Sequence, residues 1–252
     1  MKIRRLSFVR AVCATLALLS PALVSAAPVP VVVELFTAQG CSSCPPADAL
    51  LGEVARKSNV IALAYHVDYW DDQGWKDPFS LAEATQRQRG YVRRLSKSGA
   101  FTPQAVVSGD TSLIGSRRAE LMSAIDADRD ALAVVIKKEG AALAVELPEA
   151  WNEPMDLYAV SYLAEATTKI GSGENARRAL HEFNIVRSFK RIARWTGKPQ
   201  TYRVPLASFP RDATHVAVLL QRPGQGAIAG AAKIALDRSA NVVAPSRRTP
   251  TS

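Results

Sequence analysis

The stretch VVVELFTAQGCSSCPPAD, residues 31–48, joins an apolar run to a helical pattern through a C-x-x-C motif. Residues 31–36 predict a buried strand, and Pro45 suits an early helical position because its missing N–H would have no intrahelical partner there. Two intervening residues allow the sulfurs of Cys41 and Cys44 to meet at the first turn of this helix. Unpaired N–H groups at that turn stabilise a thiolate on Cys41, although the Asp48 carboxylate partly offsets them. The motif therefore predicts redox chemistry.

Residues 1–26 have the pattern of a secretory signal peptide. Four basic side chains accompany the start of an apolar stretch over residues 11–24, and the small residues Ser25 and Ala26 complete a cleavage site. The apolar stretch is shorter than the about 20 residues of a membrane span, and we expect no transmembrane span in the mature chain. We therefore predict a periplasmic or secreted protein, cleaved near Ala26.

Cleavage would remove Cys13 and leave Cys41 and Cys44 as the only thiols of the mature chain. In an oxidising compartment this pair should form one intramolecular disulfide. Its ring is too small to stabilise the fold strongly, since the entropy removed from the unfolded chain grows with loop length. The small ring favours chemistry over stability. An inert disulfide and a metal site are the alternatives.

The charge balance excludes little but argues against one class of partner. The chain has 32 Lys and Arg against 23 Asp and Glu, and residues 1–26 hold four of the basic side chains. The net charge therefore falls from +9 to +5 on cleavage. Such a modest excess is typical of a solvated basic surface, and we predict no nucleic-acid partner for an exported protein.

Residues 27–130 alternate strand and helix patterns. We predict a strand over 31–36, a helix over 45–57, a strand over 60–67, a helix over 79–97, a hairpin over 104–107 and 112–114, and a last helix over 116–130. The first three elements imply a right-handed parallel crossover. This order is that of a minimal, glutaredoxin-type α/β thioredoxin-like core.

The dipeptide Thr102-Pro103 directly precedes the third predicted strand. At this position thioredoxin-like proteins hold a cis-proline that faces the C-x-x-C motif. The residue before a cis bond can present its backbone N–H and C=O to an extended peptide substrate. We therefore predict that Thr102 and Pro103 belong to the site; the alternative is an ordinary trans proline at a strand start.

The composition changes after residue 130. Short strand candidates follow one another, separated by Gly, Pro, Asn and charged turns, over residues 131–137, 141–147, 155–164, 185–189, 202–206, 216–221 and 227–234. We predict an all-β, sandwich-like C-terminal domain over residues 131–238. Residues 239–252 are polar and proline-containing, and they predict a disordered tail.

Several motifs together resemble one family. They are ELFT at 34–37, GCSSCPPAD at 40–48, HVDYW at 66–70, GWKDP at 74–78, TPQ at 102–104, GEN at 173–175, NIVR at 184–187 and GAIAGA at 226–231. The chain is similar in these motifs to a bacterial secreted family catalogued as domain of unknown function 1223. The resemblance implies export and a thioredoxin-like fold, while the family's activity is not established.

Glu34 and His66 each allow two interpretations. Glu34 lies in the first apolar strand and could exchange a proton with Cys44. Alternatively, it reaches solvent or an arginine at the end of the sheet, because ionised carboxylates are rarely buried unpaired. His66 could join Cys41 and Cys44 to hold copper. The alternative for the His66 region is an ordered loop in which aromatic side chains pack over the redox site and aspartates cap helices.

We interpret the chain as an exported thiol-disulfide oxidoreductase without a cofactor. Cys41 would attack a substrate disulfide, the mixed disulfide would lie against Thr102 and Pro103, and Cys44 would resolve it. The partners would be protein thiols and disulfides of the cell envelope. A redox-inert binding module and a periplasmic copper-binding protein are the competing interpretations, and the sequence leaves the redox direction and the oligomeric state open.

Overall fold

The computed structural model describes residues 29–95, 99–127, 129–150 and 153–237. Within these ranges the chain forms eleven strands, three α-helices, and two 3₁₀-helices at Asp68–Trp70 and Leu206–Ser208. The α-helices are α1 (Pro45–Ala55), α2 (Ala82–Leu95) and α3 (Arg118–Asp126). The strands are β1 (Val31–Thr37), β2 (Val60–His66), β3 (Gln104–Val107), β4 (Thr111–Ile114), β5 (Val135–Glu139), β6 (Ala142–Leu147), β7 (Met155–Lys169), β8 (Ala179–Trp195), β9 (Gln200–Pro205), β10 (His215–Gln221) and β11 (Ile228–Ala235).

The predicted signal peptide over residues 1–26 and the predicted tail over residues 239–252 lie outside the described residues. Within the described ranges, no helix combines the length and the apolar character needed to cross a membrane.

In the described part of the chain, eight strands form one mixed sheet in the order β11-β10-β7-β8-β2-β1-β3-β4, and β5-β6-β9 form a second, smaller sheet. β1 and β2 are connected by α1 and pair directly with each other in parallel. β3 and β4 add an antiparallel hairpin beside β1. The crossover and the hairpin therefore form as the sequence predicts.

The predicted fold class is wrong. The protein is mostly β, and it is not an α/β thioredoxin-like core followed by a β-sandwich. β8 pairs in parallel with β2 at Ala64 and Ile185, so that β7, β8, β10 and β11 extend the sheet begun by β1 to β4. The predicted domain boundary at residues 130/131 stays a prediction.

The error arises from β7 and β8. The sequence predicts strands over residues 155–164 and 185–189, whereas the two strands run for 15 and 17 residues. Their pairing shifts register near Tyr158 and again near Tyr162, which interrupts the alternation that a sequence pattern detects. Alternation also indicates which face of a strand is buried but not which strand lies beside it.

Alternation along β1 gives the sheet two different faces. Val33 and Leu35 pack with the apolar side of α1, whereas Val32 and Phe36 share a core with Tyr91 of α2. A third core lies between the smaller sheet and the outer strands β7, β10 and β11. The C-x-x-C loop connects the end of β1 at Thr37 to the start of α1 at Pro45.

Candidate functional site

Cys41 and Cys44 form a disulfide at the start of α1. Their Cα atoms are 5.4 Å apart, and both residues are 0 % exposed. Cys44 is the N-cap residue of α1, and its carbonyl oxygen accepts hydrogen bonds from the N–H groups of Ala47 and Asp48. Pro45 occupies the first turn, where its missing N–H costs no hydrogen bond. The sequence predicts this position, but it gives no sign that both sulfurs are buried.

Thr102 and Pro103 lie beside the disulfide loop. The Thr102–Pro103 peptide bond is cis, and Ser43 Oγ donates a hydrogen bond of 3.5 Å to the Thr102 carbonyl oxygen. Trp70 Nε1 donates to Thr102 Oγ1 at 2.9 Å, and the Trp70 side chain also packs on Gly40. The structure therefore brings the two predicted parts of the site together, with Trp70 between them.

The tip of the β7–β8 hairpin covers the disulfide loop. We name this segment, residues 170–178, the cap. Asn175 Nδ2 donates hydrogen bonds of 2.9 Å to the carbonyl oxygens of both Gln39 and Cys41. The Ser42 N–H donates to Glu174 Oε2 at 3.1 Å. The cap thus bonds to three of the four residues 39–42, which are more than 130 positions away in the sequence.

A third loop closes the site from the side. Gly173 of the cap has a φ of +75°, and a Cβ there would come 3.2 Å from Cβ of Trp75. Trp75 Nε1 in turn donates to Gln39 Oε1 at 3.0 Å. The loops 38–44, 71–78 and 170–178 therefore hold one another in place around the disulfide.

A group of buried ionisable side chains, which we name the acidic cluster, lies under these loops. It comprises Asp48, His66, Asp77 and Glu182. His66 Nδ1 is 2.7 Å from Asp77 Oδ2, and His66 Nε2 is 3.8 Å from Glu182 Oε1. Glu182 Oε2 accepts a hydrogen bond of 2.7 Å from Gln39 Nε2, and Asp48 Oδ1 accepts one of 2.7 Å from the Thr37 hydroxyl. Gln39 therefore links the cluster to the disulfide loop.

The pKa values in the acidic cluster depart from their ordinary ranges. Burial by itself would lower the pKa of His66, but the neighbouring carboxylates, Asp77 above all, raise it to about 9. Burial raises the pKa of Glu182 to about 7 and that of Asp48 to about 6, with His66 offsetting part of each effect. Burial acts in the same direction on Asp77, yet the adjacent His66, together with hydrogen bonds from the N–H groups of Gln39 and Phe79, keeps the pKa of Asp77 below its usual value.

Glu34 lies on the other face of the sheet, in contact with α2. Its two oxygens accept hydrogen bonds of 2.6 and 2.9 Å from Arg87 Nε and Nη2, and the Tyr91 hydroxyl donates a third of 2.5 Å. The Arg87 guanidinium also lies over the Phe189 ring, 4.3 Å from its centroid. Glu34 is therefore buried and paired with an arginine, which was the second of its two interpretations.

His66 has its two ring nitrogens directed to carboxylates of the acidic cluster. Among the residues that the structure describes, no group of three or more His, Cys, Asp or Glu side chains is arranged to hold a metal ion. The copper interpretation requires Cys41, Cys44 and His66 as ligands. The position of His66, with both ring nitrogens directed to carboxylates, does not support it.

Sequence reasoning missed the residues that surround the disulfide, Gln39, Asn175 and Glu182. Gln39 bonds to Glu182 and Asn175, which are far from it in the sequence, so no local spacing predicts these contacts. The one available signal was the motif at residues 173–175, which the family resemblance included.

Fold and site together define a class, a mixed-sheet protein with a capped disulfide at a helix N-terminus. A family model described as "Protein of unknown function (DUF1223)" matches residues 32–221, and the chain belongs to this family. A search of curated proteins gave no match. The crystal structure of an Agrobacterium tumefaciens protein is similar at 31 % identity and a TM-score of 0.74, over 83 % of this chain and 96 % of that one.

A second solved structure is similar at a greater distance. HBP35 of Porphyromonas gingivalis has 17 % identity and a TM-score of 0.53, over 89 % of this chain and 81 % of that one. At this identity the likeness extends to the fold alone.

Proposed function

We propose that the protein is exported and exchanges thiols and disulfides in the cell envelope through Cys41 and Cys44. The observation that carries the proposal is the disulfide at the N-terminus of α1, beside Thr102. A thiolate on Cys41 would gain from the positive end of the α1 helix dipole, which the Asp48 carboxylate of the first turn partly offsets when it is ionised.

In the proposed reaction the reduced Cys41 thiolate attacks one sulfur of a substrate disulfide and expels the other as a thiolate, which takes up a proton. Cys44 then attacks Cys41 Sγ, the Cys41–Cys44 bond forms, and the second substrate sulfur leaves as a thiolate. The substrate disulfide is reduced and the protein is oxidised. The reverse sequence oxidises a substrate dithiol by the same steps.

Thr102 and Pro103 would hold the substrate peptide during this exchange, since the Thr102 carbonyl lies next to Ser43 of the motif. The proton transfer predicted between Glu34 and Cys44 stays a prediction. The contacts of Glu34 with Arg87 and Tyr91 support a different role, in which Glu34 holds α2 against the sheet.

A redox-inert binding module is the second candidate function. It is favoured by the complete burial of Cys41 and Cys44, because a disulfide that no thiol can reach acts only as a short cross-link.

Equilibration of the purified mature protein with glutathione or dithiothreitol redox buffers separates the two candidates. An exchange protein should titrate between its reduced and oxidised forms above about −300 mV, whereas structural disulfides resist reduction in that range. Alkylation should add two labels to the reduced protein and none to the oxidised one. A disulfide that stays intact at potentials far below that value would leave only the binding module.

Cys44→Ser and Cys41→Ser form a matched pair for the mechanism. Cys44→Ser should accumulate mixed disulfides with envelope proteins, because the resolving thiol is missing, whereas Cys41→Ser should accumulate few. Equal trapping by both variants would contradict the assigned order of attack.

A further inference from the structure

Asn175 is the best-bonded residue of the cap. It is 1 % exposed, and its side-chain amide makes three hydrogen bonds of 2.9 Å. Nδ2 uses both of its protons on the carbonyl oxygens of Gln39 and Cys41, while Oδ1 accepts from Arg178 Nη1. The Arg178 donor fixes which end of the amide faces the disulfide loop. An asparagine amide can bond to all three partners, because it donates to the two carbonyl oxygens and accepts from the arginine.

The other hydrogen bond between the cap and the disulfide loop is much more exposed. Glu174 reaches the Ser42 N–H from a solvent-exposed position, where a hydrogen bond competes with water. The connection between the cap and the disulfide loop therefore depends mainly on Asn175. Opening the cap would separate these hydrogen bonds without breaking the β7–β8 pairing, which ends at Lys169 and Ala179.

We propose that Asn175 is a positioning residue that fixes the cap against the backbone of the disulfide loop, and that release of Asn175 lets this loop move and gives a thiol access to Cys41. The proposal rests on the proposed function in one respect, since access matters to the cell only when the disulfide is exchanged.

The chemistry of access is that of disulfide exchange with an external thiol. The attacking thiolate must approach a sulfur along the line of the S–S bond, so a sulfur without exposed surface cannot react until its cover moves. A dithiothreitol thiolate would bond to Cys41 Sγ and expel Cys44 as a thiolate, which is then protonated. The second dithiothreitol thiol closes its own ring and releases Cys41, so that the reagent is oxidised and the protein reduced.

Asn175→Asp tests the proposal with a nearly isosteric change. The carboxylate keeps its acceptor for Arg178, but it cannot donate and faces two carbonyl oxygens. We expect the cap to open more often and dithiothreitol to reduce the disulfide about tenfold faster at pH 8, as expected for the loss of two amide hydrogen bonds in a local opening.

Asn184→Asp is the matched control on the same hairpin. Asn184 Nδ2 donates to the carbonyl oxygen of Ala62 at 2.9 Å, so the change again places a carboxylate against a backbone carbonyl. It does so at the sheet, away from the disulfide loop. In Asn184→Asp we expect the rate of disulfide reduction to change less than twofold, although its melting temperature falls about as much as that of Asn175→Asp. Equal acceleration in both variants, or none in Asn175→Asp, would overturn the proposal.

The unmodified protein provides a second test that does not depend on a variant folding. Reduction through cap opening should depend weakly on urea below the unfolding transition, whereas reduction through global unfolding should follow the full equilibrium m value. The full m value would overturn the proposal. Both measurements use a small thiol, so they remain informative even if envelope proteins fail to exchange disulfides and the proposed function is rejected.

Discussion

The protein buries two groups of ionisable side chains, and they differ in their ratio of basic to acidic residues. On the α2 face, Glu34 and Arg87 form a one-to-one pair with two direct hydrogen bonds. Under the loops around the disulfide, His66 stands alone among three carboxylic acids of the acidic cluster. The first arrangement is neutral when both groups are ionised. The second cannot become neutral unless its acids take up protons.

This difference separates a structural ion pair from a titratable group. Removing one partner of a buried pair leaves the other charge without compensation, and the fold loses stability at any ordinary pH. A cluster with excess acid instead changes its protonation with pH, so its effect on stability varies with pH. The titratable group lies next to the disulfide loop, to which Gln39 joins it.

The largest effect should come from breaking the neutral pair. Arg87→Met leaves the Glu34 carboxylate buried without its cation, and we expect the free energy of unfolding to fall by about 3 to 5 kcal/mol. Urea denaturation monitored by circular dichroism measures this change.

The exposed pair of Arg118 and Glu53 provides the control, since its N···O distance is 2.7 Å but its side chains are 58 % and 49 % exposed. Arg118→Met should cause a much smaller loss of stability, because water screens an exposed ion pair. If Arg87→Met and Arg118→Met lose similar stability, the pair on the α2 face is not the structural element we describe.

The next effect concerns His66 and alkaline pH. Its pKa rises from 6.5 in the unfolded chain to about 9 in the folded protein. A raised pKa on a basic group gives stability that is complete below pH 6.5 and is lost as pH rises through about 9. The difference corresponds to an upper limit of about 3 kcal/mol at 1.36 kcal/mol per pH unit.

The predicted loss of stability at alkaline pH is tested by measuring the free energy of unfolding from pH 7 to 9.5, for the wild-type protein and for His66→Gln. Stability of the unmodified protein should fall over this window, and the fall should be smaller in His66→Gln. Parallel curves would show that His66 does not carry a proton in the folded state.

A smaller effect of opposite sign should follow from Asp48→Asn. Burial raises the pKa of Asp48 from 3.8 to about 6, so the folded protein binds this proton more tightly than the unfolded chain does. The fold therefore loses stability as pH rises from 3.8 through about 6, the loss is complete above that value, and an amide removes this cost. We expect Asp48→Asn to gain about 1 to 2 kcal/mol at pH 8, at the lower end of what the pKa difference allows.

The gain from Asp48→Asn should shrink at pH 5, where the carboxyl of the unmodified protein is mostly protonated. Asn can still accept the hydrogen bond from Thr37, so packing is preserved. The melting temperatures of Asp48→Asn and of the wild-type protein at pH 8 and pH 5 measure this change. A loss of stability at pH 8 would mean that the attraction between Asp48 and His66 outweighs the burial of the charge.

Local features of the site were predictable from the sequence. The strand of residues 31–37, the proline at the start of α1 and the two cysteines lie within 15 residues, and each depends on its immediate neighbours. The position of Pro103 directly before β3 follows from the same local pattern, and Thr102 lies beside Ser43. Glu34 was recognised as unusual from its apolar surroundings, although its partner Arg87 was not.

Three properties were decided only by the tertiary structure. They are the joining of β8 to β2, the cap over the disulfide, and the acidic cluster. Each depends on contacts between segments more than 100 residues apart or on carboxylates from separate elements. Side-chain alternation and motif spacing record the environment of each segment, but they do not record which distant segment supplies it. The sequence by itself determined where the disulfide forms, and the tertiary packing decided that both cysteines are buried, in a core that they share with side chains of β1, β2 and α2.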